Sequence, residues 1–389
     1  MNAASETLHV ESNCGQAQLQ RITRVAPEVS KAVPAVQFWH DSRQLKVLGM
    51  GAALPGPAVS TAELLGKVEK RFGVPMLRRG TALANRLKIA TRHFCRDFET
   101  RHEAPRPGHS NPDLAAAAVH AALKEARLSV NDLAYLIGHT TSPARLVPPN
   151  IALVADRLGF TGPYMELRQA CSGFANALVI AQGLVSVPGV KAVGIVGSET
   201  GSVYFDPQRA GEDAGQLVNL VMMGDGAGAI VVGPNDCRPG ARISSNFFGQ
   251  IGLGRPPGFA LAGGGSDRTF VEGGALEFEH DFAAVRDGGP ELFYHGAAVA
   301  RALEIPVDTA DRVIPHQANG RMADVLGPFL GIEARRVFVN ADRLGNTGSA
   351  AIWLALAELR SNLQPRAHVL VLGAEATKYM FGGFHYVHY

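Results

Sequence analysis

Apolar runs of strand length alternate with longer segments of helical period from Leu45 onward. The first run, KVLGMGAALP, predicts a strand that enters a Gly/Pro turn. Three later runs predict further strands, at 133–141, 191–199 and 222–233. PDLAAAAVHAALKEA at 112–126 predicts a helix with Asn111 as its N-cap and Pro112 in its first turn. Strands that alternate with helices in this way are typical of an α/β fold.

The second half of the chain repeats this order of elements. A helix at 290–304 leads into the short strand RVIPH, as the earlier helix leads into LAYLIGH. VLVLGAE at 369–375 matches VGIVGSE at 193–199, and each follows a polar residue that opens an apolar helix. That residue is Cys171 in the first half and Asn346 in the second. The pattern predicts two copies of one α/β unit, with chance similarity between buried strands as the alternative.

The helices that follow Cys171 and Asn346 are apolar on nearly every face. A helix of this kind belongs in the interior, here between two sheets. The prediction is therefore an α/β protein whose two duplicated halves form a five-layered αβαβα sandwich. We assign the first half to residues 45–235 and the second to residues 236–389. Residues 1–44 are polar and alanine-rich without a clear period and are interpreted as an N-terminal extension.

Composition is that of an ordinary globular protein and argues against several function classes. Hydrophobic residues make up 46% and charged residues 19% of the sequence, and the formal net charge is +2. There is no clustered basic stripe for nucleic acid and no long uncharged apolar run for a membrane span. The first residues lack the pattern of a secretory signal. The four cysteines, at positions 14, 95, 171 and 237, lack the spacing of a zinc or redox pair, which favours a reducing cytoplasm and no metal.

One of these cysteines has the local context of a nucleophile. Cys171, in ELRQACSGFANAL, stands where an apolar helix begins. Unpaired N–H groups and the helix dipole at such a place favour a thiolate. Taken alone, a single cysteine is more often buried and inert, so the interpretation depends on what accompanies it.

Two further motifs accompany the cysteine. His316 follows a short apolar strand and a proline in VIPHQANGRM, and Asn346 lies among small residues in NADRLGNTGSAA. Alone, the first is typical of a structural histidine and the second of a helix cap. In the order Cys–His–Asn, and together with GDGAGA at 224–229, these stretches resemble β-ketoacyl–acyl-carrier-protein synthase III and its relatives. The resemblance covers residues 45–389 and implies a thiolase-like fold.

The resemblance implies an acyltransferase that works in two stages. The Cys171 thiolate takes an acyl group from a thioester, and the backbone N–H groups of Cys171 and Gly382, in FGGF, bind the oxyanion. His316 and Asn346 then stabilise the enolate of a malonyl thioester that loses carbon dioxide, and its carbon attacks the acyl group. Divergent relatives transfer the acyl group to an alcohol, an amine or another acyl thioester instead, and a non-catalytic protein of the same fold is a third possibility.

The resemblance also implies partners and further contacts. The substrates would be thioesters of coenzyme A or of acyl carrier protein, without a resident cofactor, and the enzyme would be a homodimer. Val147 stands where the family closes its acyl pocket from the partner subunit, and its small size predicts an acyl group larger than acetyl. Arg321 matches a carrier-protein contact, although the usual basic residues after it are missing. Arg209 and Arg92 are candidate phosphate contacts. These departures suggest a role in secondary metabolism.

Overall fold

A computed structural model of the chain describes residues 18–22, 36–236, 239–266 and 277–389. The strands are β1 (Gln18–Ile22), β2 (Val36–Asp41), β3 (Leu45–Ala53), β4 (Val59–Ser60), β5 (Thr91–Arg92), β6 (Leu133–His139), β7 (Tyr164–Leu167), β8 (Ala192–Glu199), β9 (Gly226–Pro234), β10 (Arg242–Gln250), β11 (Phe259–Ala262), β12 (Glu277–His280), β13 (Arg312–Pro315), β14 (His368–Glu375) and β15 (Met380–Val387). The helices are α1 (Thr61–Phe72), α2 (Leu77–Leu87), α3 (Asn111–Ala126), α4 (Asn150–Leu158), α5 (Gly173–Val185), α6 (Ala214–Met222), α7 (Phe282–Ala302), α8 (Met322–Leu330), α9 (Ala341–Leu344) and α10 (Ala351–Arg360).

The two halves of the chain build sheets with the same strand order. In the first half the order is β7-β6-β8-β9-β3, and in the second it is β13-β14-β15-β10. The pairing senses also agree, since β6–β8 and β13–β14 are parallel while β8–β9 and β14–β15 are antiparallel. A single parallel bridge between Val313 and Val337 stands where β7 pairs with β6 in the first half. This repeated topology supports the predicted duplication.

Two apolar helices lie between the sheets. Helix α5 contacts β6, β8 and β9 of the first half and β10 and β15 of the second, and α10 contacts β9 as well as β13. Phe174 of α5, Trp353 of α10 and Phe384 of β15 stack within 6.0 Å of one another, centroid to centroid. Helix α3 covers the outer face at β3 and β9, and α7 covers the outer face at β14 and β15. The α/β class and the five-layered αβαβα arrangement are therefore confirmed.

The N-terminal boundary needs a correction. Strand β2, at Val36–Asp41, pairs with β10 through Asn246–Gly249 and so belongs to the same sheet as β10. Strand β1 pairs in turn with β2. The folded body therefore begins at Val36 or earlier rather than at Leu45, because hydrogen bonds to a strand two hundred residues away order a segment whose own pattern is weak. The boundary between residues 235 and 236 stays a prediction.

Helix α3 starts as the sequence indicates, but with a different cap. Ser110, not Asn111, is the N-cap, and the Asp113 carboxylate accepts a hydrogen bond from the Ser110 backbone N–H at 3.0 Å. This is a capping box, which satisfies N–H groups that the first turn leaves free. The Asn111 side chain instead donates to Thr140 Oγ1 at 3.1 Å and joins α3 to the end of β6.

Candidate active site

The turn between β7 and α5 presents Cys171. Its side chain is half-buried, and the next residue, Ser172, is the N-cap of α5. The backbone N–H and the Oγ of Ser172 both donate to Oε2 of Glu375, at 2.9 and 2.6 Å. On the other side of the cysteine, the Gln169 carbonyl accepts from Ser349 Oγ at 3.1 Å. Elements of the second half therefore hold the cysteine turn from both sides.

A buried histidine supports the same turn from behind. Trp353 donates its indole N–H to Nε2 of His139 at 3.0 Å, so the imidazole proton lies on Nδ1. Among the described residues, that nitrogen has no partner at hydrogen-bond geometry. A side chain at Gly173 would come within 2.7 Å of His139 Nδ1, which leaves room there only for glycine. Burial lowers the pKa of His139 to about 3, so it is a neutral, structural group.

The electrostatics of Cys171 differ from the sequence-based expectation. Burial raises the pKa of the Cys171 thiol well above its usual value, and the carboxylates of Glu375 and Glu199 raise it further. The Cys171 backbone N–H opposes this, but by less. The environment therefore favours the thiol over the thiolate that the helix start alone would favour, because desolvation and the neighbouring carboxylates outweigh the helix start. At rest the nucleophile is a thiol that must lose its proton as it reacts.

His316 follows the last residue of β13. Its backbone N–H donates to the Leu372 carbonyl of β14 at 2.7 Å, continuing the β13–β14 pairing by one residue. The side chain is buried, and burial lowers the pKa of the imidazole to about 4. Its Nδ1 atom has no hydrogen-bond partner within the part of the chain that the structure describes. A buried polar atom without a partner is costly, so this nitrogen is a group that a ligand can satisfy.

Asn346 is held mainly through its backbone. Its N–H donates to the Met222 carbonyl at 2.8 Å, and its own carbonyl accepts from the Gly224 N–H at 3.1 Å. The side-chain Oδ1 accepts from the Gly348 N–H at 3.0 Å, which leaves the –NH₂ group as the part that can donate. A short 3₁₀ turn, Gly348–Ala350, separates Asn346 from α10. Asn346 is thus not the N-cap of that helix.

Strand β14 brings the three predicted residues into one region. His316 is bonded to Leu372, and a side chain on the next residue, Gly373, would lie 3.1 Å from the Cys171 carbonyl. The Asn346 turn reaches the cysteine turn through the bond from Ser349 to Gln169. These contacts place the Cys171 turn, His316 and the Asn346 turn in one region of the fold, and a thiol, an imidazole and an amide are a set suited to acyl transfer.

Two predicted contacts are contradicted by the structure. Gly382 lies within β15, paired with Gly373 on one side and Phe248 on the other, so its N–H faces a neighbouring strand and not an oxyanion. A Cβ there would be 2.6 Å from Ala175 Cβ, and glycine instead allows α5 to pack closely on the sheet.

Arg92 is fully buried, and its guanidinium donates to Thr61 Oγ1 at 2.9 Å and to the Val221 carbonyl at 2.6 Å. Burial lowers its pKa to about 10, and it cannot reach a phosphate from this position.

The remaining predicted contacts lie at the surface. Val147 is 83% exposed in the loop before α4, next to Leu146, which is 56% exposed. Arg321 is exposed at the start of α8, and Arg209 is exposed and paired with Asp213 at 3.1 Å. Within the described residues no His, Cys, Asp and Glu side chains are grouped so as to hold a metal ion. No helix among those residues is long and apolar enough to cross a membrane.

Three residues near the cysteine turn were missed by reasoning from the sequence: Glu199, Glu375 and His139. The two glutamates close the matching motifs VGIVGSE and VLVLGAE, so the repeat itself was a signal for them. His139 ends a strand predicted from its apolar pattern, and only its contact with Trp353, 214 residues later, shows its place beneath the turn.

Comparison with known proteins agrees with this site. Residues 165–252 match the family model of 3-oxoacyl-[acyl-carrier-protein] synthase III, and residues 300–380 match the model of its C-terminal part. A β-ketoacyl-[acyl-carrier-protein] synthase III of Oleidesulfovibrio alaskensis is 34% identical over 71% of this chain and 83% of its own length. A 3-oxopimeloyl-[acyl-carrier-protein] synthase of Rhodothermus marinus is 30% identical over 87% of this chain and 90% of its own.

A solved structure shows the same architecture. A tetronic acid condensing enzyme superposes with a TM-score of 0.75 at 28% identity, over 88% of this chain and 99% of the other. The two family models match segments that contain Cys171, His316 and Asn346. The chain belongs to the β-ketoacyl-[acyl-carrier-protein] synthase III family, whose members are acyl-transferring condensing enzymes of the thiolase fold.

Proposed function

We propose that Cys171 carries the acyl group during a two-stage condensation. In the first stage the sulfur attacks the carbonyl of an acyl thioester, a new C–S bond forms, and the carrier leaves as a thiol. Because the resting group is a thiol, its proton must pass to a base as the bond forms. His316 is neutral at pH 7, since its pKa is lowered to about 4, and it can accept that proton and return it to the departing carrier.

In the second stage a malonyl thioester takes the place of the carrier. Loss of carbon dioxide leaves an enolate, whose oxygen receives hydrogen bonds from His316 and from the –NH₂ group of Asn346. The enolate carbon then attacks the acyl carbonyl, a C–C bond forms, and Cys171 leaves as a thiolate that is reprotonated. The neutrality of the buried imidazole carries this proposal, because an uncharged donor in a desolvated site stabilises charge that appears only as carbon dioxide departs.

The carriers and the assembly are part of the proposal. The names of the two relatives point to acyl carrier protein thioesters. Coenzyme A thioesters are the alternative, and the proposal includes no resident cofactor. We propose a cytoplasmic homodimer in which the exposed Leu146–Val147 loop reaches the partner subunit's acyl pocket, since two large apolar side chains there otherwise face water. Valine at that place favours an acyl group larger than acetyl.

A second candidate keeps the acyl-enzyme and changes the acceptor. The structural similarity to a tetronic acid condensing enzyme favours it, and so does the sequence ADVLGPF after Arg321, where further basic residues for a carrier protein are missing. In this version an alcohol, an amine or a second acyl thioester takes the acyl group from Cys171. Such a reaction fits secondary metabolism.

Intact-protein mass spectrometry with a panel of acyl-coenzyme A and acyl carrier protein donors tests these proposals. We expect one acyl adduct that is absent in Cys171→Ala and that disappears, with release of carbon dioxide, when a malonyl thioester is added. An adduct that malonyl thioester leaves unchanged would support the second candidate. Faster loading from acetyl than from octanoyl thioester would contradict the proposed large acyl group.

A further inference from the structure

Two equivalent strands end at a glutamate, and each glutamate holds the catalytic turn of the other half. Glu375, the last residue of β14, accepts from the Ser172 N–H and Oγ, next to Cys171 in the first half. Glu199, the last residue of β8, accepts from Ser349 Oγ at 2.5 Å, three residues after Asn346 in the second half. The two contacts are related by the internal repeat and cross between the halves.

Both carboxylates are buried, and every hydrogen bond found for them comes from a neutral donor. Glu199 also accepts from the N–H and Oγ of Thr141, each at 3.0 Å, and from Ser142 Oγ. Thr377 Oγ1 donates to the second oxygen of Glu375. Buried carboxylates are costly unless such donors compensate. Two such carboxylates at related positions therefore indicate a role that apolar side chains could not fill, namely hydrogen bonding to the two turns.

Glycine geometry shows how tightly Glu199 fits the asparagine turn. Gly348 has φ +50°, and a side chain on it would come within 2.8 Å of Glu199 Cγ. The turn therefore follows the glutamate so closely that it admits no side chain there. Ser349 Oγ also lies 3.1 Å from the Gln169 carbonyl beside Cys171, so its one hydroxyl hydrogen is shared between the Glu199 carboxylate and that carbonyl.

We propose that Glu375 and Glu199 are positioning residues that hold the two catalytic turns crosswise, Glu375 the turn of the nucleophile and Glu199 the turn of Asn346. This inference rests on the proposed two-stage function and deepens it. Each glutamate bonds a serine next to a catalytic group and not that group itself. Each sets the place of a neighbouring catalytic group, where a displacement of about 1 Å costs roughly 10²-fold in rate. The two carboxylates should therefore affect different stages of the reaction.

The first experiment separates the stages. Acyl loading is measured by quenched-flow mass spectrometry, and condensation is measured separately on enzyme already loaded to completion. We expect Glu375→Gln to slow loading roughly 10- to 100-fold and to change condensation little. Glu199→Gln should slow condensation by a similar factor and change loading little. The control is Glu125→Gln, an outer carboxylate that also accepts a backbone N–H, from Met50 at 2.8 Å. Equal slowing of both stages by both variants, or no slowing, would overturn the proposal.

The second experiment does not depend on catalysis. The rate of Cys171 alkylation by iodoacetamide is followed against pH by peptide mass spectrometry. Glu375 contributes to the raised pKa of the thiol, so Glu375→Gln should move the alkylation midpoint to lower pH, while Glu125→Gln should not. The midpoint reports how close the Glu375 carboxylate lies to the sulfur, so an unchanged midpoint would mean that Glu375 does not adjoin the Cys171 turn and would count against the proposal.

A wrong assignment of Glu375 and Glu199 as positioning residues can be told apart from a wrong proposed function. If wild-type enzyme neither loads nor condenses, the proposed function fails, whereas the alkylation profile still tests Glu375. If a glutamine variant does not fold, Ser172→Ala and Ser349→Ala remove one donor each and retain both carboxylates. Ser172→Ala should slow mainly loading, whereas Ser349→Ala should slow both stages, because Ser349 Oγ also contacts the Gln169 carbonyl beside Cys171. Unchanged rates of both stages in both variants would overturn the proposal.

Discussion

The turns that carry Cys171 and Asn346 occupy equivalent places in the two halves, but they are held by different means. Side chains hold the cysteine turn, through Glu375 and through Ser349. Backbone pairing holds Asn346 itself, since Asn346 exchanges hydrogen bonds with Met222 and Gly224, while the Glu199 side chain bonds Ser349 later in the same turn.

The difference follows from what each group must do. A nucleophile forms and breaks a bond and must lose its proton. Side chains around it are therefore needed to set the pKa and the position of the thiol. An amide that only donates a hydrogen bond needs a fixed place, which backbone pairing gives.

The largest effect is expected from removing the nucleophile. Cys171→Ala leaves no atom that can hold the acyl group, so loading should fall by more than about 10⁴-fold. The measurement is the acyl mass adduct after incubation with the best donor. Cys95→Ala is the matched control, because Cys95 is a buried thiol outside the turn. An acyl adduct that survives in Cys171→Ala and is lost in Cys95→Ala would contradict the assignment.

The second-largest effect is expected on condensation, from substitution of Asn346 or His316. Asn346→Ala should load normally and condense about 10²- to 10³-fold more slowly, because one donor to the enolate oxygen is lost. His316→Ala should show the same loss in condensation and, in addition, slower loading, since the imidazole also takes the thiol proton. Single-turnover rates of both stages test this. A variant of Asn346 that fails to load would place the amide in the first stage.

The sequence allowed the fold and the three central residues to be predicted because their signals are local. Cys171, His316 and Asn346 each stand in a short contiguous motif, and the repeated strand motifs with their all-apolar helices indicate the layers. Each signal requires only neighbours in the chain. The roles assigned to the three residues remain predictions.

The errors concern contacts between distant segments. FGGF looks like a loop in isolation, yet its register with Gly373 and Phe248 places Gly382 in the middle of a sheet. Arg92 looks like a surface cation until Thr61 and Val221 are seen to bury it. Register and burial depend on long-range pairing, which no local pattern encodes.

A third prediction concerns acid stability and compares the two halves through their buried histidines. Burial lowers the pKa of His139 to about 3 and that of His316 to about 4. The unfolded chain takes up these protons near pH 6.5 while the folded chain does not. Stability is therefore fully present above pH 6.5 and is lost as pH falls toward 4 and 3, by several kcal/mol in all. Denaturant titrations at pH 7, 6, 5 and 4 measure this loss.

The matched variants sharpen that measurement. Between pH 6 and 4, His139→Gln should reduce the slope of unfolding free energy against pH by about 1.4 kcal/mol per pH unit, the effect of one proton. His120→Gln alters an exposed histidine on α3 and should leave the slope unchanged. Equal slopes for wild type and His139→Gln would mean that His139 is charged in the folded protein.

The smallest expected effect tests whether the halves unfold together. Ser110 caps α3 and Asp281 caps α7, where its carboxylate accepts from the Ala284 N–H at 2.9 Å. Ser110→Ala and Asp281→Ala should each lower the free energy of unfolding by about 1 kcal/mol. Because α5 and α10 contact the sheets of both halves, each variant should shift one shared transition. If each cap moved a separate transition, the buried helices would not couple the halves, and the crosswise contacts of Glu199 and Glu375 would join two independently stable units.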